Sequence, residues 1–127
     1  MLTDEHLERF RRYLWIFRNS SGWSSEEFGK MLGITRATIS GIENGAVKMN
    51  PLHYYAMRFL FQNYAGRFVN ELIDILADSE STTQEERDRL ENQILMIKRR
   101  CGNKNGCKAV KSVLSCFHIV KKELKPI

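Results

Sequence analysis

Apolar residues recur at helical spacing along most of the first 76 positions, broken at intervals by polar and glycine punctuation. Leu7, Phe10, Leu14 and Phe17 are three or four apart, which predicts an amphipathic helix from about Thr3 or Asp4 to Asn19. Phe28, Met31 and Leu32 define a shorter inward face, opened by the capping pair Ser24 and Glu27 and closed at Gly33. Ile39 and Ile42 give a third helix its inner face, with Thr35 as cap and Asn44-Gly45 as stop. Asn50 before Pro51 is a helix-start signal, because proline at the first helical position has no N–H to leave unpaired. The helix it starts carries Leu52, Tyr55, Met57, Phe59 and Leu60, read as core, and Phe68, Leu72, Ile75 and Leu76 complete a compact five-helix domain over residues 1–77.

From Ala77 to Thr83 the periodicity stops, so residues 78–83 read as a linker. Beyond it, Thr82 or Thr83 can cap a helix through Glu85 or Glu86, and that helix ends in Lys98, Arg99 and Arg100, acids and bases complementing its dipole at opposite ends. Gly102-Asn103-Lys104-Asn105-Gly106 interrupts it, and Val110, Val113, Phe117, Val120 and Leu124 mark a last helix. Residues 84–127 thus read as a helical hairpin with too small a core to stand alone, expected to pack on the N-terminal domain or on its copy in a second subunit. The fold class expected is all-α.

Ser24 to Gly45 holds two short helices joined by a tight turn, with Gly29 placed where a side chain would hold them apart. The run from Arg18 through Leu32-Gly33-Ile34-Thr35-Arg36 and Ile39 to Ile42-Glu43-Asn44-Gly45 resembles the Cro/CI-type, or XRE-type, helix-turn-helix domains of phage and bacterial repressors. Looser similarity extends over residues 5–76, and the remainder is unmatched. The resemblance implies a lambda-repressor-like domain that places the helix at about 36–44 in the major groove of double-stranded DNA. It puts Arg36, Ala37 and Gly41 at base-facing positions, with Thr38 and Ser40 reaching bases or phosphates. Arg36 can donate two hydrogen bonds to guanine O6 and N7, whereas Ala37 offers a methyl contact to thymine. Gly41 departs from the family pattern, in which a long polar side chain is frequent; it permits closer helix approach, or it means that few bases are read directly. Ser24, Ser25 and Thr35 at helix N-termini, with Asn44 and Lys48 just past the reading helix, are the candidate phosphate anchors. Arg18 and Glu43 match positions that form a partly buried structural ion pair.

Charge adds a second asymmetry. The net charge is +5 over 127 residues, but residues 1–97 carry −3 and residues 98–127 carry +8. The basic end reads equally as a phosphate-contacting segment, a solvated helix face or a site for an acidic partner. Hydrophobic content of 43% suits a globular chain. No run of about eighteen apolar residues and no basic-then-apolar N-terminal segment is present, so no membrane span or export is expected and the expected location is cytoplasmic.

Enzyme motifs are missing: there is no H-E-x-x-H, no G-x-S-x-G, and no phosphate loop. His6, His53 and His118 are scattered, with no obvious partner carboxylate. Cys101, Cys107, Cys116 and His118 lack zinc-knuckle spacing, and the three cysteines read as reduced thiols. Neither cofactor nor metal is expected. The function expected is a homodimeric, sequence-specific transcriptional regulator, most readily a repressor on a near-palindromic operator. Two other readings stand beside it: an antitoxin-like or adaptor protein whose 84–127 hairpin holds another protein, and an activating or architectural DNA-binding factor.

Overall fold

The computed structural model describes residues 2–101, with side chains as far as residue 96. The chain divides into two compact units, 1–79 and 80–127. No strand occurs among the described residues.

Five helices and a closing turn build the first unit: α1 (Asp4–Ser20), α2 (Ser25–Leu32), α3 (Arg36–Asn44), α4 (Pro51–Tyr64) and α5 (Arg67–Ile73), which runs directly into a π-helical turn, Asp74–Asp78. Side-chain oxygens cap four of the five at their N-termini: Thr3 accepts from the His6 N–H, Ser24 from Glu27, Thr35 from Thr38 and Asn50 from His53. Each bond satisfies a backbone donor that has no partner within its helix, and replacing such a cap with alanine typically costs about 1 kcal/mol. Gly33 (φ 75°) and Gly45 (φ 87°) end α2 and α3 in the left-handed region, where a Cβ would be strained.

The centre of the unit is α1, which packs against α3, α4, α5 and the π turn. Its buried face is wider than the four-residue stripe of the sequence, since Tyr13 and Ile16 are buried with Leu7, Phe10, Leu14 and Phe17. Helix α4 corrects the sequence reading. Leu52, Tyr55 and Phe59 are 60% or more exposed, and the inward positions are Tyr54, Met57 and Phe61. Because α4 is apolar nearly all round, hydrophobicity alone does not select its face; the aromatic contacts of Phe61 and Tyr54 with Phe10 do. Met31, expected on the inward face of α2, is also largely exposed, leaving Phe28 as the buried anchor there.

Ala77 is fully buried, and the first unit ends at Ser79. The π turn widens the helix by one residue per turn, and so Leu72, Ile73, Leu76 and Ala77 all point inward while Ile75 is only partly covered. It also delivers Asp78 to α1 and α4, where the carboxylate accepts from His6 Nε2 (2.7 Å), Tyr54 Oη (3.0 Å) and Arg58 Nε (3.2 Å). His6 therefore does face a carboxylate, 72 residues away in sequence, which spacing could not reveal.

Burial, and then the adjoining Asp78 carboxylate, push the Tyr54 hydroxyl up to about 12. A group whose pKa is raised by folding gives its stabilisation in full below the unfolded value, near 10, and loses it as pH rises through the folded one. The unfolding free energy should therefore fall between about pH 10 and pH 12, and fall less in Tyr54→Phe. Urea titrations at about pH 9 and about pH 11 would measure the difference, and equal slopes in the two proteins would refute it.

In the second unit, α6 spans Gln84–Cys101. A reciprocal capping box opens it: the Glu86 N–H donates to Thr83 Oγ1 (3.2 Å) and the Thr83 N–H to Glu86 Oε2 (3.4 Å). The expected final helix, the hairpin of 84–127 as a whole, and the cluster Cys101, Cys107, Cys116 and His118 lie outside the described residues.

Candidate nucleic-acid interface

The local sequence fixes the angle between α2 and α3 by leaving no room for a side chain at their crossing. Gly29 is buried, and a Cβ there would stand 2.6 Å from the Ile34 carbonyl oxygen, which belongs to the backbone of the turn. The Ile34 N–H in turn donates to the Gly29 carbonyl at 2.9 Å. Glycine thus lets the backbone of the turn close directly on α2.

Two arginines one heptad apart on α1 hold the far end of α3. Arg18 donates through Nε to Glu43 Oε2 (2.6 Å) and through Nη2 to Oε1 (3.1 Å), a bidentate pair, and through Nη1 to the Trp23 carbonyl (2.9 Å). Arg11 donates through Nη1 to the carbonyls of Ile42 (3.2 Å) and Glu43 (3.3 Å), carrying positive charge to the negative end of the α3 dipole. Glu8 fixes Arg11 from its other side (2.9 Å), and that hydrogen bond holds the Glu8 carboxyl below the usual range. Arg11 escaped the sequence reading. The signal available was its spacing of seven from Arg18, which puts both on one face of α1.

The outer face of α3 follows from this anchoring. Ile39 and Ile42 are buried, and Arg36, Ala37 and Ser40 are exposed, with Asn44 on the same face one turn further on. Thr38 is half-buried; its hydroxyl and that of Thr35 are 2.9 Å apart, so both are engaged at the helix start. Gly41 is not on the open face, contrary to the expectation from resemblance. It is buried, and a Cβ at this position would meet Val47 Cγ2 at 2.7 Å, because the chain turns back after Gly45 and the Val47 N–H donates to the Gly41 carbonyl (2.9 Å).

The candidate anchors differ in electrostatic setting. The first turn of α3 contains no acidic residue, so the positive end of its dipole beside Thr35 is available to an anion. At α2, Glu26 and Glu27 occupy the first turn next to Ser24 and Ser25 and neutralise that end themselves. Lys48 is exposed beyond α3, and Asn44 Oδ1 accepts from the Ala46 N–H (2.9 Å), shaping the loop that carries it. No helix among the described residues is long and apolar enough to cross a membrane.

Residues 16–51, from the C-terminal part of α1 to the first residue of α4, match the model of a helix-turn-helix family. No curated protein and no solved structure matches the chain. The matched segment contains the whole of α2, the glycine turn and α3, with both ends of the Arg18–Glu43 pair, so over these residues the chain is similar to a helix-turn-helix family.

Proposed function

We propose that this chain is a sequence-specific transcriptional regulator that binds a near-palindromic operator as a homodimer and represses by occupying a promoter. The observation that carries the reading is the exposed Arg36, Ala37 and Ser40 face of α3, held rigidly by Arg11, Arg18 and Gly29 inside a segment matched to a DNA-binding family. A helix of these dimensions fits the major groove end-on, with its first residues at the base edges. Arg36 reads guanine, Ala37 meets a thymine methyl, and Ser40, with Thr38 beside it, bonds to a base or phosphate. Thr35 and Lys48 anchor phosphates, with Asn44 shaping the loop between them; Ser24 and Ser25 give a weaker anchor beside Glu26 and Glu27.

In a homodimer, two copies of α3 would be spaced at about 34–36 Å, one turn of B-DNA. Selection of bound duplexes from random DNA, with the mass of the complex measured by light scattering, tests the proposal: a two-fold symmetric motif and two chains per duplex support it, and the absence of any enriched motif refutes it. Within the selected site, Arg36→Ala should cost about 1–3 kcal/mol at one or two base pairs and leave the others unchanged. Uniform weakening on every sequence would assign Arg36 to the phosphate backbone instead.

A further inference from the structure

We infer that Val47, a loop residue outside the reading helix, is a specificity-determining residue that reads a thymine methyl in place of the side chain α3 lacks at Gly41. The inference rests on the DNA-reading assignment of α3 and extends it to a residue beyond the helix. Gly41 lies one helical turn after the exposed Ala37 and is itself buried. The first atom of any side chain there would coincide with the space held by Val47, whose Cγ2 is 2.7 Å and whose Cβ is 3.5 Å from that point. The valine is fastened in this position. Its N–H donates to the Gly41 carbonyl (2.9 Å), Gly45 supplies the left-handed turn (φ 87°), and the Asn44 side chain braces the Ala46 N–H (2.9 Å).

Although it covers Gly41, Val47 is itself 37% exposed. A branched apolar side chain thus covers Gly41, one helical turn along α3 from the exposed Ala37, and keeps part of its own surface open. The chemistry it recognises is apolar, and in the major groove the one apolar group on the base edges is the C5-methyl of thymine. The glycine and the valine form a complementary pair: glycine vacates the helix surface, and the loop refills it with a β-branched side chain that has few rotamers to lose on binding. Direct base choice is thus extended from Arg36 and Ala37 to a position the helix does not reach by its own side chains.

The test uses the full chain and the duplex obtained by selection, in which each thymine is replaced in turn by deoxyuridine, deleting one methyl at a time. For the parent protein, one such replacement beside the base pair read by Ala37 is expected to weaken binding by about fourfold, the worth of one buried methyl-sized group. In Val47→Ala that replacement should have no effect, while sensitivity to the other thymines persists. Val47→Thr, which keeps the branched shape over Gly41, should show an intermediate loss at the same thymine, and circular-dichroism melting of both variants monitors folding. If Val47→Ala and Val47→Thr weaken binding equally on every duplex and leave the deoxyuridine profile of the parent intact, Val47 only covers the turn and the inference is overturned. Failure to select any motif would overturn the regulator reading, and this inference with it.

Discussion

Replacing Glu43 by Gln is expected to lower the unfolding free energy by about 3–5 kcal/mol, a large part of the stability of a unit of this size. The reason lies in what the substitution leaves behind. The Arg18 side chain is 11% exposed and that of Glu43 13%, so both charges have given up most of their water. A guanidinium does not deprotonate at any accessible pH. With the carboxylate gone, its charge is held in a poorly solvated site by one amide oxygen and the Trp23 carbonyl. The pair itself need not contribute much relative to an apolar pair of the same volume, because desolvation offsets most of the attraction. Arg18→Met combined with Glu43→Leu should therefore recover most of the loss. Urea unfolding of the two single variants and the double variant would measure the coupling; additive losses would show that the ion pair is energetically idle. DNA affinity should fall with Glu43→Gln on all duplexes alike, since the change loosens α3 as a body and alters none of its outward side chains.

Phe61→Ala carries a comparable penalty, about 3–5 kcal/mol. Phe61 is fully buried and its ring contacts four others, Phe10 (6.3 Å), Phe17 (6.1 Å), Trp23 (5.6 Å) and Phe28 (5.4 Å between centroids). These rings come from α1, the turn after it and α2, around Phe61 of α4, so no single neighbour can move in without disturbing another element. Truncation therefore leaves a cavity that collapses poorly, the circumstance in which losses lie at the upper end of the range. Phe61→Leu, which refills part of the space, should cost less. A loss below about 1.5 kcal/mol for Phe61→Ala in urea unfolding would mean that the cluster repacks freely.

Local chemistry made the helix-turn-helix legible. Ser24, Thr35 and Asn50 cap because their side chains reach an N–H three residues on, and Gly33 and Gly45 stop helices because of their own backbone freedom. Such information lies within a few neighbouring residues and survives without an alignment. Contacts closed over long loops were not legible. His6 and Asp78 carry no mutual signal across 72 positions, and the π turn that brings Asp78 to His6 runs from the end of an amphipathic stretch to the first residue of the expected linker. On α4, apolar residues on every side left the period uninformative, and the aromatic partners on α1 decide the face. Gly41 was misplaced for a third reason. A residue's position on a helix wheel says nothing about a loop that folds back over it, and Val47 does so here.

Trp23 gives the unit a built-in optical gauge. Its indole stacks on Phe28 of α2 at 14° and on Phe61 of α4 at 22°, while its carbonyl is bound by Arg18 of α1. Its emission should thus register the joining of three helices at one point, and it does so without a label on Arg36, Ala37 or Ser40. In a Trp15→Phe background, which removes the other indole, assembly of the scaffold and engagement of the duplex can then be followed as separate signals in a single sample, one from Trp23 and the other from a dye on the DNA.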